Sequence, residues 1–289
     1  MSASTGTRSA AADEAGAGRR PGATMSDQPA ISACVITCNE ADRIEACLRS
    51  LAWCDEVVVV DSHSTDDTRS RAAALGARVI ERDWPGFAAQ KEFAVRAAAH
   101  DWVLVVDADE RVSAPLRAEI ASRRAAGFDG VAGFSLPRCS QYLGRWIRHG
   151  TWYPDRSVRL FDRRRGRFEP KATYDLHERV VLDGPTGALA ADLLHVPYRS
   201  ISEHLQTIDR YTTIMAEGLN ACGRRAGVAD LVLHPAWRFI QFYLIKGGFL
   251  DGWRGLLLAY LAAHYVRLRY AKLLALQRAT GGDREPDGA

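Results

Sequence analysis

Neither a G-x-G-x-x-G nor a G-x-x-x-x-G-K-[ST] stretch occurs in the chain. Two common backbone cradles for phosphate are therefore missing, which weighs against dinucleotide dehydrogenases and P-loop NTPases. There is no C-x-x-C pair either. Cys34, Cys38, Cys47, Cys54, Cys139 and Cys222 stand apart, and no His cluster completes a zinc pattern. Such scattered thiols suit a reduced, cytosolic protein. A dominant charge is also absent: 38 Lys and Arg against 35 Asp and Glu leave a net charge of +3, so overall charge does not point to nucleic acid. No internal repeat is visible.

What is present is 289 residues of ordinary soluble composition, enough for one large domain or two small ones. Residues 1–29 are rich in Ala, Gly, Ser and Thr and read as a disordered tail rather than a signal peptide. From residue 30, apolar runs alternate with helical patterns. Strands are predicted at 31–37, 56–60, 78–82 and 102–106, and helices at 39–52, 68–75 and 86–99. Gly76 is the expected stop of the second helix. The strands are apolar on both faces, the pattern of a mostly parallel α/β sheet flanked by helices. Further strands are expected at 130–136 and 157–161, with Arg163-Arg164-Arg165-Gly166 as a hairpin turn. The expected division is a catalytic domain over 30–200, a helical region over 201–278 and a flexible tail over 279–289.

Asp107-Ala108-Asp109-Glu110 ends the apolar run 102–106. Two carboxylates one residue apart at a buried strand end are costly unless something cationic sits there. A divalent cation, Mg²⁺ or Mn²⁺, carrying a phosphorylated ligand would answer that cost. Thr37-Cys38-Asn39-Glu40 and Asp61-Ser62 fall at the ends of two other predicted strands. Ligands of open α/β sheets bind at the carboxyl ends of strands, so three such ends point to one site. Asp66 and Asp67 read as helix-capping residues rather than ligands.

At these residues the chain resembles a known family. Ile36-Thr37-Cys38-Asn39-Glu40, Val59-Val60-Asp61-Ser62-His63-Ser64-Thr65-Asp66 and Val106-Asp107-Ala108-Asp109-Glu110 resemble the three signature blocks of family 2 glycosyltransferases with the GT-A fold. The resemblance covers about residues 30–200 and is nearest to the bacterial subgroup that glycosylates the lipopolysaccharide inner core. Phe249-Leu250-Asp251-Gly252 and Leu268-Arg269-Tyr270-Ala271-Lys272 resemble that subgroup as well. It implies that Thr37, Asn39 and Glu40 lie against the nucleotide, that Asp61 accepts a hydrogen bond from uracil, and that Asp107 faces the ribose. Asp109 would hold the metal and diphosphate, with His195 as a further metal ligand. Gln90-Lys91-Glu92 stands where the family often has Gln-Lys-Asn; Lys91 would meet phosphate or nucleobase, whereas Glu92 departs from the pattern. His63 stands where a Gly is common.

An inverting transfer needs a base to deprotonate the acceptor hydroxyl. The segment Tyr174-Asp175-Leu176-His177-Glu178 offers candidates: the resemblance places the base at Glu178, and spacing leaves Asp175 as the alternative. Trp152, Asp155, Arg159 and His177 are candidate acceptor contacts, because aromatic faces stack on sugars. Between Trp237 and Arg278 there are seven Lys or Arg and one acidic residue, Asp251, and the longest uncharged run there spans twelve residues. A spanning helix needs roughly twenty. This region therefore reads as amphipathic helices lying on an anionic membrane surface.

The expected protein is an inverting, metal-dependent glycosyltransferase, peripheral on the cytoplasmic face of the membrane. Its donor would be a nucleotide sugar, UDP-glucose foremost, and its acceptor a lipid-linked saccharide such as the lipopolysaccharide core, with no nucleic-acid partner. The rivals are a nucleotidyltransferase, disfavoured by Thr37-Cys38-Asn39-Glu40 where a Gly-rich basic loop belongs, and a non-catalytic sugar-nucleotide-binding scaffold.

Overall fold

The computed structural model describes residues 1–2, 28–170 and 178–281. The strands in chain order are β1 (Ile31–Thr37), β2 (Glu56–Asp61), β3 (Arg78–Glu81), β4 (Trp102–Asp107), β5 (Glu110–Val112) and β6 (Gly133–Tyr142). Then follow β7 (Arg145–Trp146), β8 (Asp155–Asp162), β9 (Gly166–Pro170), β10 (Glu178–Leu182), β11 (Thr186–Ala188) and β12 (Leu193–His195). The helices are α1 (Ile44–Leu51), α2 (Thr68–Ala74), α3 (Phe87–Ala97), α4 (Ala114–Ala125), α5 (Ile201–Ala221), α6 (Leu233–Ile240) and α7 (Gly252–Gly281).

The main sheet runs β3-β2-β1-β4-β8-β6-β12-β5. Its first four strands are parallel, and β8 joins β4 antiparallel. Alternation explains why β1 is buried throughout. Ile31, Ala33 and Val35 face one core with Ile44, Leu48, Leu51, Leu116 and Ile120 from α1 and α4. Cys34 and Ile36 face the other with Ala94 and Val95 of α3. A central parallel strand covered on both sides has no solvent face on which to carry polar residues. Within it Ser32 is covered and donates to Glu56 Oε2 at 2.6 Å, while the polar run Thr37-Cys38-Asn39-Glu40 begins at its last residue.

Local signals place the loops. Gly76 closes α2 with φ of +80°, the left-handed turn that glycine adopts without strain. Ser113 caps α4 by accepting from Leu116 N at 3.2 Å, and Ser200 caps α5 by accepting from Glu203 N at 3.1 Å. Asp66 acts at the start of α2 as expected, its Oδ1 accepting from Thr68 N at 3.0 Å, while Ser64 bonds Asp61. The turn at 163–165 forms, with Arg165 N donating to Asp162 O at 2.9 Å, but the hairpin expected there does not. Both edges of β8 are already taken by β4 and β6, so β9 turns away and pairs with β10. All six cysteines are free.

The helical region shares a third core with the sheet: Tyr142 and Ile147 pack with Ile208, Phe242, Leu258 and Leu261. No helix of the described residues is long and apolar enough to cross a membrane.

Candidate active site

Sheet register assembles the site. Thr37 pairs with Asp61, and Ile36 with Asp107, so the carboxyl ends of β1, β2 and β4 lie side by side. The loops beyond them are bonded together. Ser64 Oγ accepts from Asn39 N at 2.8 Å, Asn39 Oδ1 accepts from Thr65 N at 2.8 Å, and Thr68 Oγ1 accepts from Glu40 N at 2.8 Å. Asn39 and His63 both take positive φ, 56° each, and at Asn39 the side-chain bond to Thr65 helps hold that conformation. His63 occupies its turn with a side chain turned outward, Nε2 lying 2.8 Å from Asp83 Oδ1.

Asp61 is completely covered, at 0% exposure, and accepts from Ser64 N at 2.8 Å and Ser64 Oγ at 2.5 Å. Its carboxylate organises the loop, and contact with a base would require Ser64 to yield. Thr37 Oγ1 is buried and has no hydrogen-bond partner among the described residues.

Asp107 and Asp109 have separate surroundings. Lys91 Nζ, on α3, lies 2.8 Å from Asp107 Oδ1, and Arg159 Nη2 lies 3.3 Å from Asp107 Oδ2. Burial opposes ionisation of Asp107, but Lys91 and Arg159 together hold its carboxyl far below the usual range. Asp109 also resists burial; His195, with Nε2 3.3 Å from Oδ2, outweighs it and keeps the carboxyl ionised. Ser140 Oγ lies 2.9 Å from His195 Nδ1, so Nε2 is the nitrogen directed at Asp109. Lys91 is nearly buried, and its Nζ also lies 2.6 Å from Glu178 Oε1. This one cation joins the candidate base to the carboxylate pair.

The acceptor candidates divide. Asp155, at the start of β8, accepts from Arg138 Nε at 3.1 Å. Arg159 points inward to Asp107 and Glu110, so its guanidinium braces the carboxylates from below rather than opening onto a loop. Trp152 packs among Tyr142, Tyr198 and His204 with ring centroids 5.5–6.3 Å apart, a position that joins sheet to helices. Asp175 and His177 lie outside the described residues.

Sequence reasoning missed three groups. Glu110 is fully covered; it accepts from Asp107 N at 2.9 Å, Arg159 Nη2 at 2.8 Å and Arg138 Nη1 at 3.2 Å. It therefore fixes the turn that carries both aspartates. Arg43, just before α1, lies 3.6 Å from Asp109 Oδ2, 3.3 Å from Glu40 Oε2 and 2.9 Å from Glu203 Oε1. Arg138 answers both Glu110 and Asp155. Glu110 stands in the motif itself, but Arg43 and Arg138 gave no local signal. Glu92, the departure from the familiar triplet, accepts from Phe168 N at 2.9 Å and anchors β9. Burial pushes the Glu40 carboxyl up to about 7, against the pull of Arg43.

Among the described residues no three His, Cys, Asp or Glu side chains form a metal-binding group. Asp109 with His195 supplies two. The Asp109 carboxylate suits Mg²⁺ or Mn²⁺, which are usually held by one or two carboxylates with phosphate oxygens and water completing the shell.

Carboxylates gathered at the carboxyl edge of the sheet, interleaved with buried cations, lie where open α/β sheets bind their ligands. Residues 32–181 match the glycosyl transferase family 2 domain. A lipopolysaccharide core biosynthesis glycosyltransferase of Rhizobium meliloti, LpsC, is 30% identical over 258 residues, covering 83% of this chain and 93% of that protein. An uncharacterised glycosyltransferase of Rickettsia typhi is 30% identical over 254 residues, covering 85% and 87%. The chain belongs to glycosyl transferase family 2 and is a glycosyltransferase. The fold class expected from the sequence, mostly parallel α/β of GT-A type with a helical C-terminal region, is the one found. Among solved structures, glucosyl-3-phosphoglycerate synthase from Mycobacterium tuberculosis, in complex with Mn²⁺, UDP and glucosyl-3-phosphoglycerate, is 21% identical with a TM-score of 0.46, covering 72% of this chain and 88% of that one. S. aureus TarS 1–349 in complex with UDP-GlcNAc is 14% identical with a TM-score of 0.44, covering 89% and 93%.

Proposed function

We propose that the protein is an inverting, metal-dependent glycosyltransferase that moves a hexose, glucose from UDP-glucose, to a lipid-linked saccharide such as the lipopolysaccharide core. The observation that carries this is the register placing Thr37, Asp61 and Asp107 side by side, with Asp109 and His195 paired beside them. The lipopolysaccharide core role of the Rhizobium meliloti relative supports the acceptor. A cytoplasmic membrane face would bring the site to such an acceptor.

In this reading Thr37, Asn39 and Glu40 line the nucleotide, and Asp107 orients the ribose. Lys91 holds Asp107 and Glu178 in fixed relation, and reaching phosphate would require it to release one of them. Asp109 and His195 would hold Mg²⁺ or Mn²⁺, and the bound ion would neutralise the departing diphosphate. Glu178 takes the proton from the acceptor hydroxyl as that oxygen attacks the anomeric carbon. Asp175 is the alternative base. Arg159 and Glu110 keep the carboxylate pair from moving as charge develops, a preorganisation that avoids rearrangement during the reaction. A screen of UDP-, GDP- and ADP-sugars, reading released nucleoside diphosphate with and without metal, tests the reading. It fails if no sugar nucleotide is bound or consumed.

A further inference from the structure

Exposed large apolar side chains concentrate in one stretch of the described chain, residues 228–260. Trp237, Leu244, Ile245, Phe249, Leu250 and Trp253 are each between 49% and 59% exposed. Their spacing is helical. Leu233, Trp237, Ile240 and Leu244 recur at i, i+4, i+7 and i+11 along α6 and the wide turn that continues it (Gln241–Ile245). Trp253, Leu256 and Tyr260 recur at i, i+3 and i+7 along α7. The two helices pack on each other, and the segment joining them bears Phe249 and Leu250. Soluble surfaces rarely leave such side chains together without a partner.

We propose that this α6–α7 hairpin is a bilayer-docking face that inserts its exposed Trp, Phe, Leu and Ile side chains into the headgroup boundary of an anionic membrane.

Charge decides the occupant. The acidic residues between Val228 and Tyr260 are Asp230, which lies 3.0 Å from His234 Nε2, and Asp251, 2% exposed. Asp251 is occupied internally, accepting from His149 N at 2.9 Å and Arg148 N at 3.3 Å. Lys246 is exposed at the tip, and the Arg254 guanidinium lies 4.6 Å from the centroid of the Trp253 ring. A second copy meeting this face would set cation against cation, with Asp230, already paired with His234, as the one acid of the stretch outside the core. Anionic headgroups would complement it, and Trp residues beside Lys and Arg are the side chains favoured at that depth.

The hairpin also grips the loop before β8. Gly150 N donates to Lys246 O at 2.8 Å, and Arg238 Nη2 donates to Thr151 Oγ1 at 3.1 Å. A Cβ on Gly150 would come within 2.4 Å of the Phe242 ring, and its φ is +76°, so only glycine fits this contact. That loop leads directly to Trp152 and then to Asp155 and Arg159. A docked hairpin would thus fix the side from which a membrane-held acceptor meets the site. This last consequence rests on the lipid-linked acceptor proposed above; the docking itself does not.

The test is flotation of the purified full chain with vesicles of phosphatidylcholine alone and of phosphatidylcholine with phosphatidylglycerol, at rising salt. The expected result is binding to the anionic vesicles at low salt, with a blue shift of Trp emission. Leu244→Glu and Leu250→Glu, made separately and shown folded by circular dichroism, should each lower partitioning about tenfold or more. Leu75→Glu, an equal charge change at a site 38% exposed on α2's end, should leave it unchanged. The proposal is overturned if wild type stays unbound at low salt, or if both hairpin variants bind as wild type does. It is overturned equally if wild type is a lipid-free dimer that Leu244→Glu dissociates, which would make a second copy the occupant. Sugar-nucleotide binding is measured without vesicles. Loss of docking with donor binding intact sinks only the docking, and the reverse sinks only the donor reading.

Discussion

Replacing Glu110 by glutamine should damage the protein more than replacing any surface carboxylate. The side chain is completely covered and serves three donors at once: Asp107 N, Arg159 and Arg138. Arg159 is 7% exposed and cannot turn to water when its partner loses charge. The amide would also aim its own donors at a guanidinium. Breaking a buried ion pair from one side costs about 3–5 kcal/mol. Arg138 is 27% exposed along its side chain and can recruit water, so the low end applies, about 3 kcal/mol. At about 2 °C per kcal/mol for a chain of this size, that lowers Tm by roughly 6 °C. Calorimetry and urea titration read it directly. A cycle with Arg159→Met separates the pair from the rest: the double variant should be at least about 1.5 kcal/mol more stable than the two single losses predict when added. A Glu110→Gln protein within about 0.5 kcal/mol of wild type, with no coupling to Arg159, would refute the bracing role.

Three further outcomes are expected. Glu178→Gln should retain sugar-nucleotide affinity while lowering turnover by about 10²–10⁴-fold, the usual worth of a general base; full activity in that variant, lost instead in Asp175→Asn, moves the base to Asp175. Asp109→Asn should abolish the metal stimulation of turnover with the fold intact by circular dichroism, and unchanged metal dependence would remove Asp109 from the cation site. Burial holds the His204 imidazole down to about 4, beside Tyr142 Oη at 3.1 Å. The unfolded chain therefore binds the extra proton between about pH 4 and 6.5. The resulting stability is present above pH 6.5 and lost as pH falls toward 4, by up to about 3 kcal/mol. His204→Phe should flatten that slope in urea titrations across the window; an unchanged slope would contradict the assignment.

The cluster at the strand ends was legible because its signal is local. Strands β1, β2 and β4 are apolar runs that stop at polar residues, and parallel register turns adjacent stops into one cluster. The cations packed against that cluster were not legible for the opposite reason. Arg138 and Arg159 lie on β6 and β8, and whether they face a loop or a carboxylate depends on strand order, which periodicity does not reveal. The same gap produced the false hairpin after β8: the turn residues were correct, but both edges of the strand were already paired. Strands β5, β7, β11 and β12 are only two or three residues long, too short for any alternation to register. Arg43 is invisible in the same way, since its partners Asp109 and Glu203 come from distant parts of the chain.

The most direct measurement is release of nucleoside diphosphate from UDP-glucose by the purified chain, with Mn²⁺ or Mg²⁺ and a lipopolysaccharide-core saccharide, followed by the anomeric configuration of the product. The account predicts metal-dependent release of UDP and a β-linked glucose, the inverted product. No binding of any UDP-, GDP- or ADP-sugar in the presence of metal, or an α-linked product, would contradict it.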